Sequence, residues 1–222
     1  IEYLQSYFPS ASDYYMRILL NNKVELFNPE SIILKEGALN NEIFLTLTGN
    51  VEMLSADEGV NCTLYAGTFI GEHSGLHKKP SPYTYRTTNF VQALRIPSSL
   101  FAVFVKQNDL YEEMELMEVR RELLNRMPLF SEAISYSLKN KISHEMEARK
   151  IAVGDLISDD EDALYIVSSG VLKAAGSEVQ LGVADYFGEE RSILERDPAA
   201  VRQYEVVEEG ELYLIPGELV RE

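Results

Sequence analysis

The sequence predicts a mainly β, α+β fold: two antiparallel barrels of jelly-roll type in tandem, each flanked by helices. Two observations predict it. The first is a repeat. Ile43 to Gly49 (IFLTLTG) matches Leu164 to Gly170 (LYIVSSG), Phe69-Ile70-Gly71-Glu72 matches Tyr186-Phe187-Gly188-Glu189, Gly37 matches Gly154, and Pro97 matches Pro216. Every match keeps a spacing of about 120 residues, far too long for a solenoid repeat and right for a duplicated domain. The second is rhythm: short β-prone runs broken at close spacing by turn residues build antiparallel barrels rather than parallel sheets alternating with helices.

Composition bounds the reading. With 222 residues, 45% of them hydrophobic, the chain can bury two cores of ordinary domain size. Lys and Arg number 20 against 36 Asp and Glu, a formal net charge of −16 that repels polyanions. The longest basic clusters, Lys78-Lys79 and Arg120-Arg121, are interrupted at once by acidic or apolar residues, which argues against direct nucleic-acid binding. The single cysteine, Cys62, forms no internal disulfide and suits a reducing compartment. No apolar run has membrane-spanning length and no signal peptide is visible, so the chain reads as cytoplasmic, with no membrane partner. Its start at Ile1 and its stop at Glu222 within a helix-like pattern suggest an excised part of a longer protein.

Taken in order, Tyr14 to Asn21 is helix-compatible, with Ser10 or Ser12 as N-cap. Strands follow at Val24 to Phe27, Ser31 to Leu34, Ile43 to Leu47 and Val51 to Leu54, separated by Asn28-Pro29, by Gly37 with Asn40-Asn41, and by Thr48-Gly49-Asn50. From Leu100 to Asn125, Leu110, Met114, Met117, Val119, Leu123 and Leu124 recur near helical spacing, with Glu112, Glu113, Glu115, Glu118 and Glu122 on the wet face. Pro128 limits this helix, a second helical pattern runs from Ala133 to Met146, and the second strand series starts near Lys150. The expected domains are 1–108 and 129–222, joined by a stiff helical connector over 109–128.

Phe-Gly-Glu ahead of a few apolar residues and a proline has the makings of an anion cradle: a residue without Cβ admits the ligand, and N–H groups at a helix start receive a phosphate. On these residues the chain resembles the cyclic-nucleotide-binding domain family, the β-roll of catabolite-activator-type transcription factors, protein kinase A regulatory subunits and cyclic-nucleotide-gated channels. The resemblance covers both copies. It rests on Gly37 and Gly154, on the strands ending in Gly49 and Gly170, on Gly71-Glu72 and Gly188-Glu189, and on Ile96-Pro97 and Ile215-Pro216 before a helix. It implies two eight-stranded β-rolls, a non-catalytic sensory or regulatory role, and cyclic AMP or cyclic GMP as ligand. It also implies a cassette glutamate taking the ribose 2′-hydroxyl, an arginine directly after the downstream proline pairing the phosphate, and a helix after the barrel that moves relative to the cassette.

The arginine is missing. Pro80 is followed by Ser81-Pro82-Tyr83 and Pro198 by Ala199-Ala200. Losing this bidentate partner forfeits about 2–3 kcal/mol, roughly a hundredfold in affinity, so nucleotide binding is expected to be weak, altered or lost, with no cofactor certain. Arg86 and Arg202, on the strands that follow, and Arg191, in the second short helix, are the replacement cations, although strand arginines more often face solvent or surface carboxylates. Glu72 and Glu189 can also serve simply as helix caps. The candidate ligand residues are Gly71, Glu72, Ser81, Tyr83 and Arg86 in the first copy and Gly188, Glu189, Ala199 and Arg202 in the second.

Other chemistry is sparse. His73 and His77 have metal-compatible i, i+4 spacing, but the helix is short and His77-Lys78-Lys79 reads as an exposed loop, so no metal site is assigned. No Ser-His-Asp or Cys-His arrangement is suggested, and the chain is not expected to be an enzyme. Met114 and Met117 could give the connector an adaptable surface for a partner domain or protein, or for a second copy. Two alternatives concern the longer protein. The segment Tyr7 to Tyr15 is similar to the one joining metallo-β-lactamase-fold hydrolases to tandem cyclic-nucleotide-binding domains in some bacterial proteins, and any such catalytic domain would lie before Ile1. The effector part of a transcription factor is disfavoured by the charge and by the lack of a helix-turn-helix.

Overall fold

The computed structural model describes residues 2–56, 61–130, 134–195 and 201–221. They form two compact units, Ile1–Val119 with Ser131–Asn140, and Arg120–Phe130 with Lys141–Glu222.

The first unit opens with α1 (Glu2–Tyr7) and α2 (Asp13–Leu20). Ser12 is the N-cap of α2, its Oγ accepting from the Tyr14 N–H at 3.3 Å, while Ser10 Oγ donates to Glu113 Oε2 at 2.7 Å. Eight strands follow, as expected for this half: β1 (Lys23–Phe27), β2 (Ile32–Leu34), β3 (Glu42–Thr48), β4 (Val51–Leu54), β5 (Asn61–Leu64), β6 (Phe69–Ile70), then α3 (Glu72–His77), β7 (Thr84–Thr87) and β8 (Val91–Pro97). They make two antiparallel four-stranded sheets, β1-β8-β3-β6 and β2-β7-β4-β5. Strand β3 is apolar on both faces for a reason. Phe44 packs with Leu34, Val51, Met53, Leu64 and Tyr85 of the facing sheet, whereas Ile43 and Leu45 face the helices with Tyr7, Phe8 and Phe101.

The single helix expected over Leu100 to Asn125 is two helices, α4 (Ser98–Gln107) and α5 (Tyr111–Arg126). The break is a Schellman turn. Asp109 takes the left-handed conformation (φ 55), the Leu110 N–H donates to Val105 O at 3.0 Å, and Asn108 Nδ2 donates back to Phe104 O at 2.8 Å. Asn and Asp tolerate this geometry better than the apolar residues around them.

Beyond the 3₁₀ turn at Pro128–Phe130, α6 (Tyr136–Glu145) leads to β9 (Glu147–Ile151), β10 (Leu156–Ser158), β11 (Ala163–Ala174), β12 (Gln180–Leu181), β13 (Tyr186–Phe187), α7 (Glu189–Ser192), β14 (Gln203–Pro216) and α8 (Gly217–Val220). The predicted helix start at Ala133 lies outside the described residues. The pairings of the first unit recur: β9 on β14 as β1 on β8, β10 on β14 as β2 on β7, β12 on β11 as β5 on β4, and β13 on β11 as β6 on β3. Eight strands were expected here, and among the described residues there are six. The reason is that β11 and β14 each run on where the first unit breaks a strand in two, bending together through register shifts between Val167 and Leu172. Gly170 and Gly210 permit the bend. A Cβ on Gly210 would stand 2.0 Å from Ser169 O, and one on Gly170 2.6 Å from Glu208 O. Inside, Tyr165 stacks on Phe187 (4.7 Å, 9°), which meets Tyr204 at 4.1 Å. Among the described residues no helix is long and apolar enough to cross a membrane.

Candidate functional site

The first cassette is set by Gly71, whose left-handed backbone (φ 75) turns β6 into α3. Asn40 fastens the turn: its Nδ2 donates to Gly71 O and Glu42 O, both at 2.9 Å, and its Oδ1 accepts from Ser74 Oγ at 2.8 Å. Glu72 thereby enters α3 at its positive end, only 7% exposed. It lies in the field of Tyr85 on β7. Burial first, then the carboxylates of Glu72 and Glu118, hold the Tyr85 hydroxyl well above its ordinary pKa of 10.0. The second unit repeats the arrangement. Gly188 (φ 88) opens α7, Ser192 Oγ donates back to Gly188 O at 2.8 Å, and Tyr204 on β14 is raised by burial, with Asp159 and Glu189 adding to the shift and Arg202 opposing it. A tyrosine beside each cassette glutamate was missed in the sequence, although Tyr85 and Tyr204 share one repeat spacing that could have marked them.

Ser81, the residue that the resemblance sets where the family has its arginine, is 2% exposed. Its Oγ donates to Tyr83 O at 2.7 Å, its N–H to Ala38 O at 2.8 Å, and its carbonyl accepts from the Gly37 N–H at 2.8 Å. The residue is thus spent on holding the Gly37 turn. Tyr83 is half-buried and meets Tyr85 edge-on at 6.4 Å. Arg86 stands on the other face of β7: alternation buries Tyr85 and Thr87 and turns Arg86 outward, onto Glu52 at 2.8 Å and Glu30 at 3.6 Å. The structure does not bring Arg86 to Glu72. Ala199 lies outside the described residues. Arg202 pairs with Glu190, and its N–H donates to Asp159 Oδ1 at 2.7 Å, while Arg191 Nε donates to Asp159 O at 3.2 Å. Arg191 and Arg202 are therefore both engaged at the Asp159 turn and its surroundings.

Lys78 (φ 52) ends α3, so His77 is the last residue of that helix, half-buried, and not part of an exposed loop. One turn apart, His73 and His77 present Nε2 to Glu115 Oε1 of α5 at 3.3 Å and 2.6 Å. Glu115, assigned in the sequence to a solvated face, was missed as their partner because only the tertiary fold brings it there.

The sequence model described as "Cyclic nucleotide-binding domain" matches residues 24–108. Among curated proteins, Potassium channel AKT2/3 of Arabidopsis thaliana is 23% identical over 137 residues, 60% of this chain, and Potassium channel AKT2 of Oryza sativa subsp. japonica is 24% identical over 147 residues, 64% of this chain. Those matches span only 14% and 15% of the channels' length. Among solved structures, one titled "cAMP bound PfPKA-R (141-441)" superposes with a TM-score of 0.57 at 14% identity, covering 98% of this chain and 79% of that one. The regulatory subunit of a cAMP-independent protein kinase A from Trypanosoma brucei superposes with a TM-score of 0.50 at 15% identity, covering 97% and 80%. At such identities the superpositions speak for the fold alone, and the family likeness is the match of residues 24–108 to the cyclic nucleotide-binding domain.

Proposed function

We propose that this chain is a regulatory module of two cyclic-nucleotide-binding-type domains, bounded at 1–108 and 129–222 with a helical connector over 109–128, whose cassettes bind cyclic AMP and cyclic GMP weakly. One observation carries the reading. Ser81 occupies the phosphate-pairing position and its polar groups are taken by Tyr83, Gly37 and Ala38, while Arg86 faces Glu52 and Glu30. A cyclic phosphate beside buried Glu72 would find a carboxylate and no charge-assisted partner of the expected kind. The recurring pairings and the left-handed Gly71 and Gly188 support two copies of one domain. Output would pass through the helices that follow the barrel, as a two-state shift read by an attached domain or partner inside the cell.

Calorimetric titration of the purified chain tests this. The expected result is no submicromolar affinity for either nucleotide, with a gain of about tenfold or more in a Ser81→Arg variant that stays folded. Submicromolar binding by the unmodified chain would show that another cation serves the phosphate and would overturn the reading.

A further inference from the structure

We propose that His73, His77 and Glu115 form a site for a divalent transition metal of the zinc class, tying the cassette helix α3 to α5 within the first unit. The ligand atoms of these three side chains all lie within 4.8 Å of one another. Two imidazoles one helical turn apart, with ring centroids 4.5 Å apart, can share one ion through Nε2. A tetrahedral zinc with bonds of about 2.0–2.1 Å sets its ligands about 3.3 Å apart. His73 Nε2 and Glu115 Oε1 already stand at 3.3 Å, and the 2.6 Å approach of His77 opens by rotation of the half-exposed Glu115 side chain.

The second observation is the state of His77. Its Nε2 is closed off from solvent and makes no hydrogen bond, although Glu115 Oε1 stands 2.6 Å away. A buried ring nitrogen without a hydrogen bond is costly. A metal ion removes that cost, since its bond uses the in-plane lone pair and neutralises the carboxylate. Two imidazoles and one carboxylate favour Zn²⁺, Co²⁺, Ni²⁺ or Cu²⁺ over Mg²⁺ or Ca²⁺, which prefer oxygen alone. Three protein ligands leave a fourth position for water. The helix that ends in His77 begins with Glu72, so an ion here would hold the cassette in one position. That regulatory consequence rests on the proposed function, whereas the metal site itself does not.

The experiment is a Co²⁺ titration of the metal-free chain, followed by visible absorption, with Zn²⁺ as competitor and no nucleotide present. Expected are ligand-field bands saturating at one equivalent, their loss on adding Zn²⁺, and a Zn²⁺-dependent rise in melting temperature. His73→Ala and His77→Ala should each weaken Co²⁺ binding by more than about a hundredfold, beyond the 10–100-fold typical of an outer-shell change. His144→Ala should change nothing, and Glu115→His, which keeps a ligand, should retain binding with shifted bands. Absence of bands with the unmodified chain, or bands that survive in both alanine variants, would overturn the proposal. Because no nucleotide is used, neither outcome depends on the calorimetric test.

Discussion

Three glycines with the same backbone conformation differ in what surrounds them. Gly37, Gly71 and Gly188 all have positive φ, yet a Cβ on Gly37 would meet nothing within 4 Å. On Gly71 it would come within 2.7 Å of the Asn40 amide and 2.9 Å of a Leu34 methyl, and on Gly188 within 2.6 Å of the backbone carbonyl of Ala163. Substituting alanine should therefore cost about 1 kcal/mol at Gly37, from backbone strain alone, and more at Gly71, where side chains must yield. Gly188 should be worst, about 3 kcal/mol, since a strand backbone must move. Hydrogen exchange with mass spectrometry checks the ranking and should confine each loss of protection to the unit that bears the change. The glycine repeat was legible in the sequence because left-handed backbone restricts residue type. Glu115 and Asp159 were not legible, because their roles depend on partners brought in by the fold.

Among the elements, α8 has an anchorage that local sequence does not explain. Arg221, just after the helix, donates to Asp162 Oδ1 and Oδ2, both at 3.1 Å, and to Ser192 O at 2.9 Å, tying the helix after the barrel to α7. The Asp162 side chain is more than half exposed, so the ion pair itself contributes little, and the bond to the last turn of α7 carries most of the effect. Arg221→Ala should cost about 1 kcal/mol and appear as faster amide exchange in α7 and α8 with β11 and β14 unchanged. Faster exchange in the sheet as well, or no change in α7, would count against this anchorage. Strand positions were read well where a turn residue fixed them, β4 matching at both ends. The α4–α5 break was not, because the apolar period continues through Asn108-Asp109 and a Schellman turn is a matter of backbone, not of pattern.

Over the whole molecule, buried tyrosines set an alkaline limit. Burial, with Glu161 adding, pushes Tyr165 up to about 12, and Tyr85 and Tyr204 are also raised above 10.0. A tyrosine whose pKa is higher folded than unfolded favours the native state at full strength below pH 10, and that stability is lost as pH rises through the folded value. Urea midpoints should hold up to about pH 10 and fall steeply towards pH 12. A midpoint unchanged up to pH 12 would count against this limit. The α+β class with antiparallel sheets was legible because short strands broken by turn residues survive in the sequence as a pattern. What the patterns did not carry is how each roll is sewn together. The first unit has two separate sheets, the second one sheet in which β11 and β14 are continuous. The first can therefore open like a book along its spine without giving up a ladder bond. The second must tear its pages to do so, because its β11–β14 ladder runs from the Ala163–Pro216 pair through to the Ala174–Tyr204 pair.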